Sequence, residues 1–358
     1  MDAEKYMIDL NAFLKKMMTA PGLSGYEQPA RMLIQEVWEP LVDELTVSRL
    51  GSLHGLCCGK GAPPRPSILI ATHMDAIGLM VSGIEDGLLR VTGIGGLDPR
   101  ILPGTLVTVH GRQDLPALIA PPVARLIPPQ VPEGAAPLEY LRVDTGLLPD
   151  EVQRLVRVGD LISFAQPPLE TASETLTGHS LDNRASVAAL THCLELLRTR
   201  PHAWDVWAVA TSQEEVGTVG AYTSAFQLHP ALAVAVDVTF ASGPGSPNHK
   251  TYPLGKGPTL LWGPDVHPAL HKGFKELADR LEIPYAIEIA PRHSGTDAFA
   301  TQVTAEGIPS MVLSIPLRYM HTPVEMVALK DISRTGRLLA EFITQLDMGF
   351  MDSFKWDD

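Results

Sequence analysis

Four short apolar runs in this chain end in, or lead straight into, residues that bind metal well. SILIATHMD carries His73 and Asp75, DVWAVATSQEE carries Glu214 and Glu215, ALAVAVD ends at Asp237, and SMVLSIPLRYMH reaches His321. Runs of continuous apolar character and this length suit strands covered on both faces. Helical segments lie between them. RASVAALTHCLELLRTR has apolar residues at i, i+3 and i+4, and LKDISRTGRLLAEFITQL is amphipathic in the same way. VGTVGAYTSAF, HPALHKGFKELADRLEIP and GTDAFATQVTAEG read as further helices. Buried strands alternating with helices predict an α/β domain: a mixed, largely parallel sheet with helices on both faces.

The alternation is broken once. From about Gly78, VSGIEDGLLRVTGIGGL, TLVTVHGR, PALIAPPVARLI and YLRVDTG are short runs punctuated by Gly and Pro, and no long helix is expected before LPDEVQRLV. They predict a small β-rich module, barrel-like or sandwich-like, inserted into the α/β domain. Asp75 and Asp182 are 107 positions apart, which leaves room for it. The boundaries follow as 1–77 with 178–358 for the α/β domain and 78–177 for the insert. The proline-rich PPVARLIPPQVPEGAAP reads as an exposed loop of the insert.

Charge and cysteine usage exclude several classes. The chain has 28 basic and 41 acidic residues, net −13, which argues against nucleic acid as a partner. Cys57, Cys58 and Cys193 form no C-x-x-C pair, so neither a disulfide framework nor a cysteine zinc site is expected. The start, MDAEKYMIDLNAFLKKMM, reads as an amphipathic helix rather than a secretion signal, and no run of 18 apolar residues occurs. No membrane partner is expected, and the expected location is the cytoplasm.

In open α/β sheets, ligands bind outside the carboxyl ends of the strands. His73, Asp75, Glu214, Glu215, Asp237 and His321 would all converge there. Asp182, in GHSLDNRASVAAL, opens a helix, where an Asp also serves as an N-cap. His, Asp, Glu, Asp and His in this order are a ligand set for two hydrolytic metal ions. Asp75 is placed to accept the second N–H of a metal-bound His73 and fix its tautomer. Of Glu214 and Glu215, one can bind metal while its neighbour faces the water beside it. Asp237 ends an apolar run, where an unpaired charge is costly; a cap or an ion pair would also satisfy it. Asp297, in SGTDAF, is expected to line the pocket, although it too suits a helix cap. No phosphate-binding glycine loop is present, and GIGGLDP has the glycines of a turn without opening a helix.

Taken together, ATHMDAIGLMV, GHSLDNRASVAAL, TSQEEVGTVGA, AVDVTF, SGTDAF and SIPLRYMHTPVEM resemble the cytosolic dinuclear metallo-aminopeptidases of the tetrahedral (TET) type. That group includes glutamyl and deblocking aminopeptidases, and the likeness covers nearly the whole chain. The resemblance implies two divalent ions, zinc or cobalt, per subunit. His73 and Asp237 would hold one, Glu215 and His321 the other, and Asp182 would bridge them. Glu214 would be the general base and Asp75 the orienter of His73. The bond after Asp182 would be cis, as is common in such sites. The insert would be a PDZ-like dimerisation domain, and the homo-oligomer a hollow dodecamer built from dimers. The substrates would be short peptides losing one N-terminal residue at a time. Two rivals remain: a metal-dependent deacylase of N-acyl amino acids, and a non-catalytic peptide-binding scaffold, against which the presence of Glu214 and all five ligands speaks. Arg292 and Arg318 are expected near the pocket, where they would favour acidic N-terminal residues. The chain departs from the family pattern at Thr322, where a serine is usual, and in a proline-richer insert; neither touches a ligand position.

Overall fold

The computed structural model describes residues 8–123 and 136–354. Residues 124–135, most of the proline-rich stretch expected as a loop, lie outside them, as do residues 1–7 of the first expected helix. Two helices, α1 (Leu10–Thr19) and α2 (Gln28–Trp38), precede β1 (Glu44–Val47), β2 (Leu53–Cys57) and β3 (Ser67–His73). The chain then runs through β4 (Gly78–Glu85), β5 (Leu88–Ile94), β6 (Leu106–His110), β7 (Asp114–Ala120) and β8 (Arg142–Asp144). A short helix, α3 (Pro149–Leu155), leads to β9 (Leu161–Phe164). β10 (Leu169–Thr171) and β11 (Thr175–Gly178) bring it back to α4 (Leu181–Leu197). Next come β12 (Asp205–Thr211), α5 (Val219–Leu228), β13 (Leu232–Phe240), β14 (Thr259–Trp262) and α6 (Pro268–Arg280). The series closes with β15 (Ala286–Ile289), α7 (Asp297–Gln302), β16 (Ser310–Arg318), β17 (Glu325–Ala328) and α8 (Leu329–Gln345).

The large sheet has the order β1-β2-β12-β3-β13-β16-β17-β11-β10, with β14 pairing β16 and β15 pairing β14. It is mixed. Its central strands β12, β3, β13 and β16 are parallel, as expected of the apolar runs. The largely parallel expectation holds only for this centre: both flanks are antiparallel. The reason is connection length. β1 to β2 and β10 to β11 are joined by a few residues, which permits only a hairpin, whereas a parallel neighbour needs a long crossover.

The central strands are buried at almost every position, so their sequences have no polar phase. The helix α4 crosses this sheet and is itself buried along most of its length. The indole of Trp38 in α2 donates to the hydroxyl of Thr191 in α4 at 2.8 Å, so a large buried ring keeps its one polar atom satisfied. Arg184 of α4 is wholly buried and donates to the carbonyls of Met17, Ala20 (2.7 Å) and Met74 (3.4 Å). It thereby ties the end of α1 to the end of β3.

Strands β4 to β9 form a closed barrel in the order β4-β5-β8-β7-β6-β9. Its own core includes Leu79, Val81, Leu89, Val107, Val109, Ile119, Val143 and Ile162. β7 alternates exposed and buried residues, the period-two pattern of a strand with one wet face. β10 and β11, which the 78–177 boundary assigns to the insert, pair into the large sheet through β17. Among the described residues no helix is long and apolar enough to cross a membrane.

Candidate metal centre

The central strands deliver their residues to the same edge. His73 is the last residue of β3, Asp237 lies in β13, and Glu214 and Glu215 follow the end of β12. His321 lies three positions beyond β16, and Asp182 sits in the first turn of α4, where the backbone is not yet helical. The Asp182–Asn183 peptide bond is cis. The six side chains meet. Asp182 Oδ1 is 3.1 Å from His73 Nε2, and Asp182 Oδ2 is 3.3 Å from His321 Nε2. His321 Nε2 is 3.4 Å from Glu215 Oε2. His73 Nε2 is 3.7 Å from Asp237 Oδ1 and 3.9 Å from Glu214 Oε2.

A second ring of groups positions these side chains. Asp75 faces His73 Nδ1 at 3.5 Å, and its backbone carbonyl lies 3.2 Å from the same atom. Its carboxylate also accepts the N–H groups of Glu214 and Glu215 (3.0 and 3.2 Å) and the Ser24 hydroxyl at 2.6 Å. Asp75 therefore sets the β12 loop as well as the imidazole. Glu325, which the sequence reading passed over, accepts the N–H groups of Asp182 (3.1 Å) and His321 (2.9 Å) with one oxygen each. His321 has φ of +62°, a conformation unfavourable for a side chain of its size, and this hydrogen bond helps hold it there. Glu27 is a further omission: it accepts from Gly25 and Gln213 and so ties the loop after β12 to the start of α2. A signal existed for Glu325. An acid inside the apolar PVEMVA, just after His321, predicts a buried carboxylate with a specific partner.

The donor set fits divalent cations. Ligand atoms of His73, Asp182 and Glu215 lie within 4.8 Å of one another. Asp182, Asp237, Glu214 and Glu215 are mostly buried together, and no lysine or arginine among the described residues ion-pairs with them. Glu215 Oε1 is buried without a hydrogen-bond partner. The excess negative charge shows in the titration of these groups except Asp182, whose burial is outweighed by hydrogen bonds from His321 and His73 and which is held below the usual carboxylate range. Burial, with Asp237, Asp297 and Glu215 adding to it and His73 opposing, pushes Glu214 up to about 10. Burial also raises Asp237 well above the usual carboxylate range. Hydrogen bonds to Asp182 and Glu215 push His321 up to about 11. For His73, burial is outweighed by Glu214, Asp182 and Asp75, which hold its pKa well above that of a free imidazole. Carboxylates buried this close together are a setting that a divalent cation would stabilise.

A cavity of about 230 Å³ opens in front of the cluster, lined by the six residues, by Val238, Thr239, Phe240 and Glu288, and by Ser294–Thr296 and Met320. Asp297, expected to line the pocket, is not among the lining residues and stands at the start of α7. It is buried, accepts from Thr211 at 2.6 Å and titrates near 6 because burial outweighs the pull of His73. Thr296, not Asp297, caps the helix. Arg292 is exposed and is not in the cavity wall. Arg318 is also outside the wall; its guanidinium Nε donates to the Ser242 carbonyl at 2.5 Å. The loop after β5 reaches the cluster from the barrel. A Cβ on Gly95 would stand 3.4 Å from Glu215 Cβ, and one on Gly96 would stand 3.0 Å from His321 Nδ1.

Compared with known proteins, residues 54–338 match the family described as M42 glutamyl aminopeptidase. A lysyl aminopeptidase of Pyrococcus furiosus is 34% identical over 343 residues, covering 93% of this chain and 96% of that protein. A solved TET aminopeptidase from the marine sediment archaeon Thaumarchaeota archaeon SCGC AB-539-E09 has a TM-score of 0.91 at 29% identity, covering 97% of this chain and 99% of its own. The TET1 peptidase of Pyrococcus horikoshii, which can assemble into a tetrahedron or a large octahedral shell, has a TM-score of 0.82 at 28% identity, covering 94% and 100%.

Proposed function

The chain belongs to the M42 glutamyl aminopeptidase family and is a metal-dependent aminopeptidase, and on that premise we propose how its residues divide the work. His73 and Asp237 would hold one divalent ion, Glu215 and His321 a second, and Asp182 would be shared between the two; zinc and cobalt both suit this donor set. The observation that carries the two-ion reading is the orientation of Asp182. Its two oxygens face two different histidines, at 3.1 and 3.3 Å. Bound there, the ions supply Lewis-acid polarisation of a scissile carbonyl and acidify water.

The chain's own groups do the rest. Glu214 stands beside His73 without being needed as a ligand. It lines the cavity beside the cluster, so it is placed to take a proton from water and return it to the leaving amine. Asp75 holds His73 and, through two backbone N–H groups, the Glu214–Glu215 pair at fixed spacing. The buried acids around the cavity offer acceptors for the free α-amine of a peptide. Relatives named aminopeptidases do not favour the N-acyl deacylase or the non-catalytic scaffold.

The test is metal counting joined to kinetics. Purified enzyme should hold two ions per chain and lose hydrolysis of aminoacyl-p-nitroanilides on chelation, with recovery on zinc or cobalt addition. Glu214→Gln should keep both ions and lose about 10²–10⁴-fold in kcat. One ion per chain at saturation would sink the bridging role of Asp182.

We also propose that the barrel, expected to be PDZ-like, pairs subunits into dimers within a larger shell. Leu106 and Leu118 sit opposite each other on β6 and β7 with exposed side chains, which supports a contact on that face. The tetrahedron formed by the Pyrococcus horikoshii relative supports a dodecamer, since a dimer on every edge of a tetrahedron makes one. Leu106→Lys should lower the mass measured by light scattering. The three free cysteines suit a reducing cytoplasm.

A further inference from the structure

One carboxylate in the cavity wall has no part in the metal cluster. Glu288 of β15 lines the cavity beside Thr239 and Phe240. Thr239 donates its hydroxyl to Glu288 Oε1 at 2.6 Å, and Thr259 donates to Oε2 at 2.6 Å. Both threonines are buried, so the carboxylate is held by groups that cannot swing away. Neither donor is charged, and among the described residues no lysine or arginine lines the cavity. A carboxylate has room for about four hydrogen bonds, so two acceptor sites stay open.

The position of Thr239 sets the distance from the chemistry. Asp237 and Thr239 are two residues apart in β13 and so share a face. At roughly 3.3 Å per residue, the carboxylate that Thr239 holds is anchored about 7 Å along the strand from the metal-binding Asp237. That is too far for the substrate's α-amine once its carbonyl lies at the centre, and within reach of a long side chain. Phe240 and Met320 in the same wall offer apolar surface for an aliphatic stem.

We propose that Glu288 is the specificity-determining residue of the aminopeptidase and that it selects peptides whose N-terminal residue carries a basic side chain, lysine or arginine. This inference rests on the aminopeptidase reading of the site. An apolar side chain would cover the carboxylate without pairing it, and an acidic one would add like charge, so both are rejected. The threonine pair fixes the carboxylate in advance, which keeps the ordering cost of that contact low.

The experiment compares kcat/KM for the p-nitroanilides of Lys, Arg, Met and Glu in the metal-loaded wild-type enzyme, Glu288→Gln and Glu288→Lys. Lys and Arg should exceed Met by about tenfold or more in the wild type. Glu288→Gln should cut the Lys-to-Met ratio about tenfold, and Glu288→Lys should raise the Glu-to-Lys ratio. Inhibition of the wild type by free lysine, compared with norleucine, gives the same answer should a variant fail to fold. A wild type that prefers Met or Glu, or variants that leave the Lys-to-Met ratio where it was, would overturn the role of Glu288 while leaving the aminopeptidase intact. A wild type that cleaves none of the four would overturn the aminopeptidase reading itself.

Discussion

Gly96, on a loop of the barrel, stands so close to His321 that a Cβ there would lie 3.0 Å from the imidazole Nδ1. The loop thus limits where that imidazole can go. Gly96→Val should push the ring off the Asp182–Glu215 axis and weaken the ion on that side by about tenfold or more. Metal titration against a chromogenic chelator would show it as one weakened site. Two sites of unchanged affinity would show that the ring has another way to move.

Asp75→Asn keeps the shape and removes the charge. An amide cannot accept from Ser24, Glu214 and Glu215 as a carboxylate does, and it no longer orients His73 as strongly. Metal affinity should fall about 10–100-fold. Retention of metal through gel filtration is the readout, with thermal melting of the metal-free protein as the control for folding.

Arg184→Met should destabilise the fold without touching a proposed ligand. The carbonyls of Met17, Ala20 and Met74 lose the arginine as donor inside the protein, and of these Met17 keeps the Ala20 N–H. Burial already pulls the guanidinium down to about 10 against the opposing charges of Asp75 and Glu325, so the native arginine is costly to place. Unsatisfied buried carbonyls put the loss on the order of 3 kcal/mol, measurable by urea unfolding of the metal-free chain.

His54 gives the fold an acid-side dependence. It is buried in β2, with Nε2 at 2.9 Å from the Ser224 hydroxyl and Nδ1 unpartnered. Burial lowers its pKa to about 4. An unfolded histidine takes up a proton near pH 6.5, the folded one only near pH 4. Stability is therefore complete above pH 6.5, falls as pH drops through that window, and levels off below about 4, by up to about 3 kcal/mol. His54→Asn should flatten the slope of melting temperature between pH 7 and pH 4.5. An unchanged slope would assign it to other groups.

Much of the centre was legible because strands carry their ends to predictable places. His73, Glu214, Glu215, Asp237 and His321 each stand at or just past a buried parallel strand, and such strands share an edge. The alternation of elements likewise announced the α/β sheet and its interruption. What the sequence hid depends on contacts between distant segments. Thr239 and Thr259 meet Glu288 only because β13 and β14 flank β16 and β15 pairs with β14. The GIGGLDP turn carried no visible purpose until β5 placed it against His321. Arg292 and Arg318 looked close by position, but one is exposed and the other is engaged by Ser242. The flanking hairpins escaped the largely parallel expectation because the apolar runs that signal parallel strands occur only at the centre.

The barrel leaves the large sheet just after Asp75 and its chain returns to it just before Asp182. Two neighbouring positions of the centre are thus separated by a detour of the chain, yet the detour has its own core and its own closed ladder. Such a module can drift in sequence, change its outer face or recruit a different neighbour while the order of the chemical residues along the chain stays the same. One exception among the described residues is the short glycine turn that reaches back to His321. Substitutions away from the barrel's core and its exposed leucine face should be tolerated more readily than in that turn, a place where evolution of the accessory unit is chained to evolution of the chemistry.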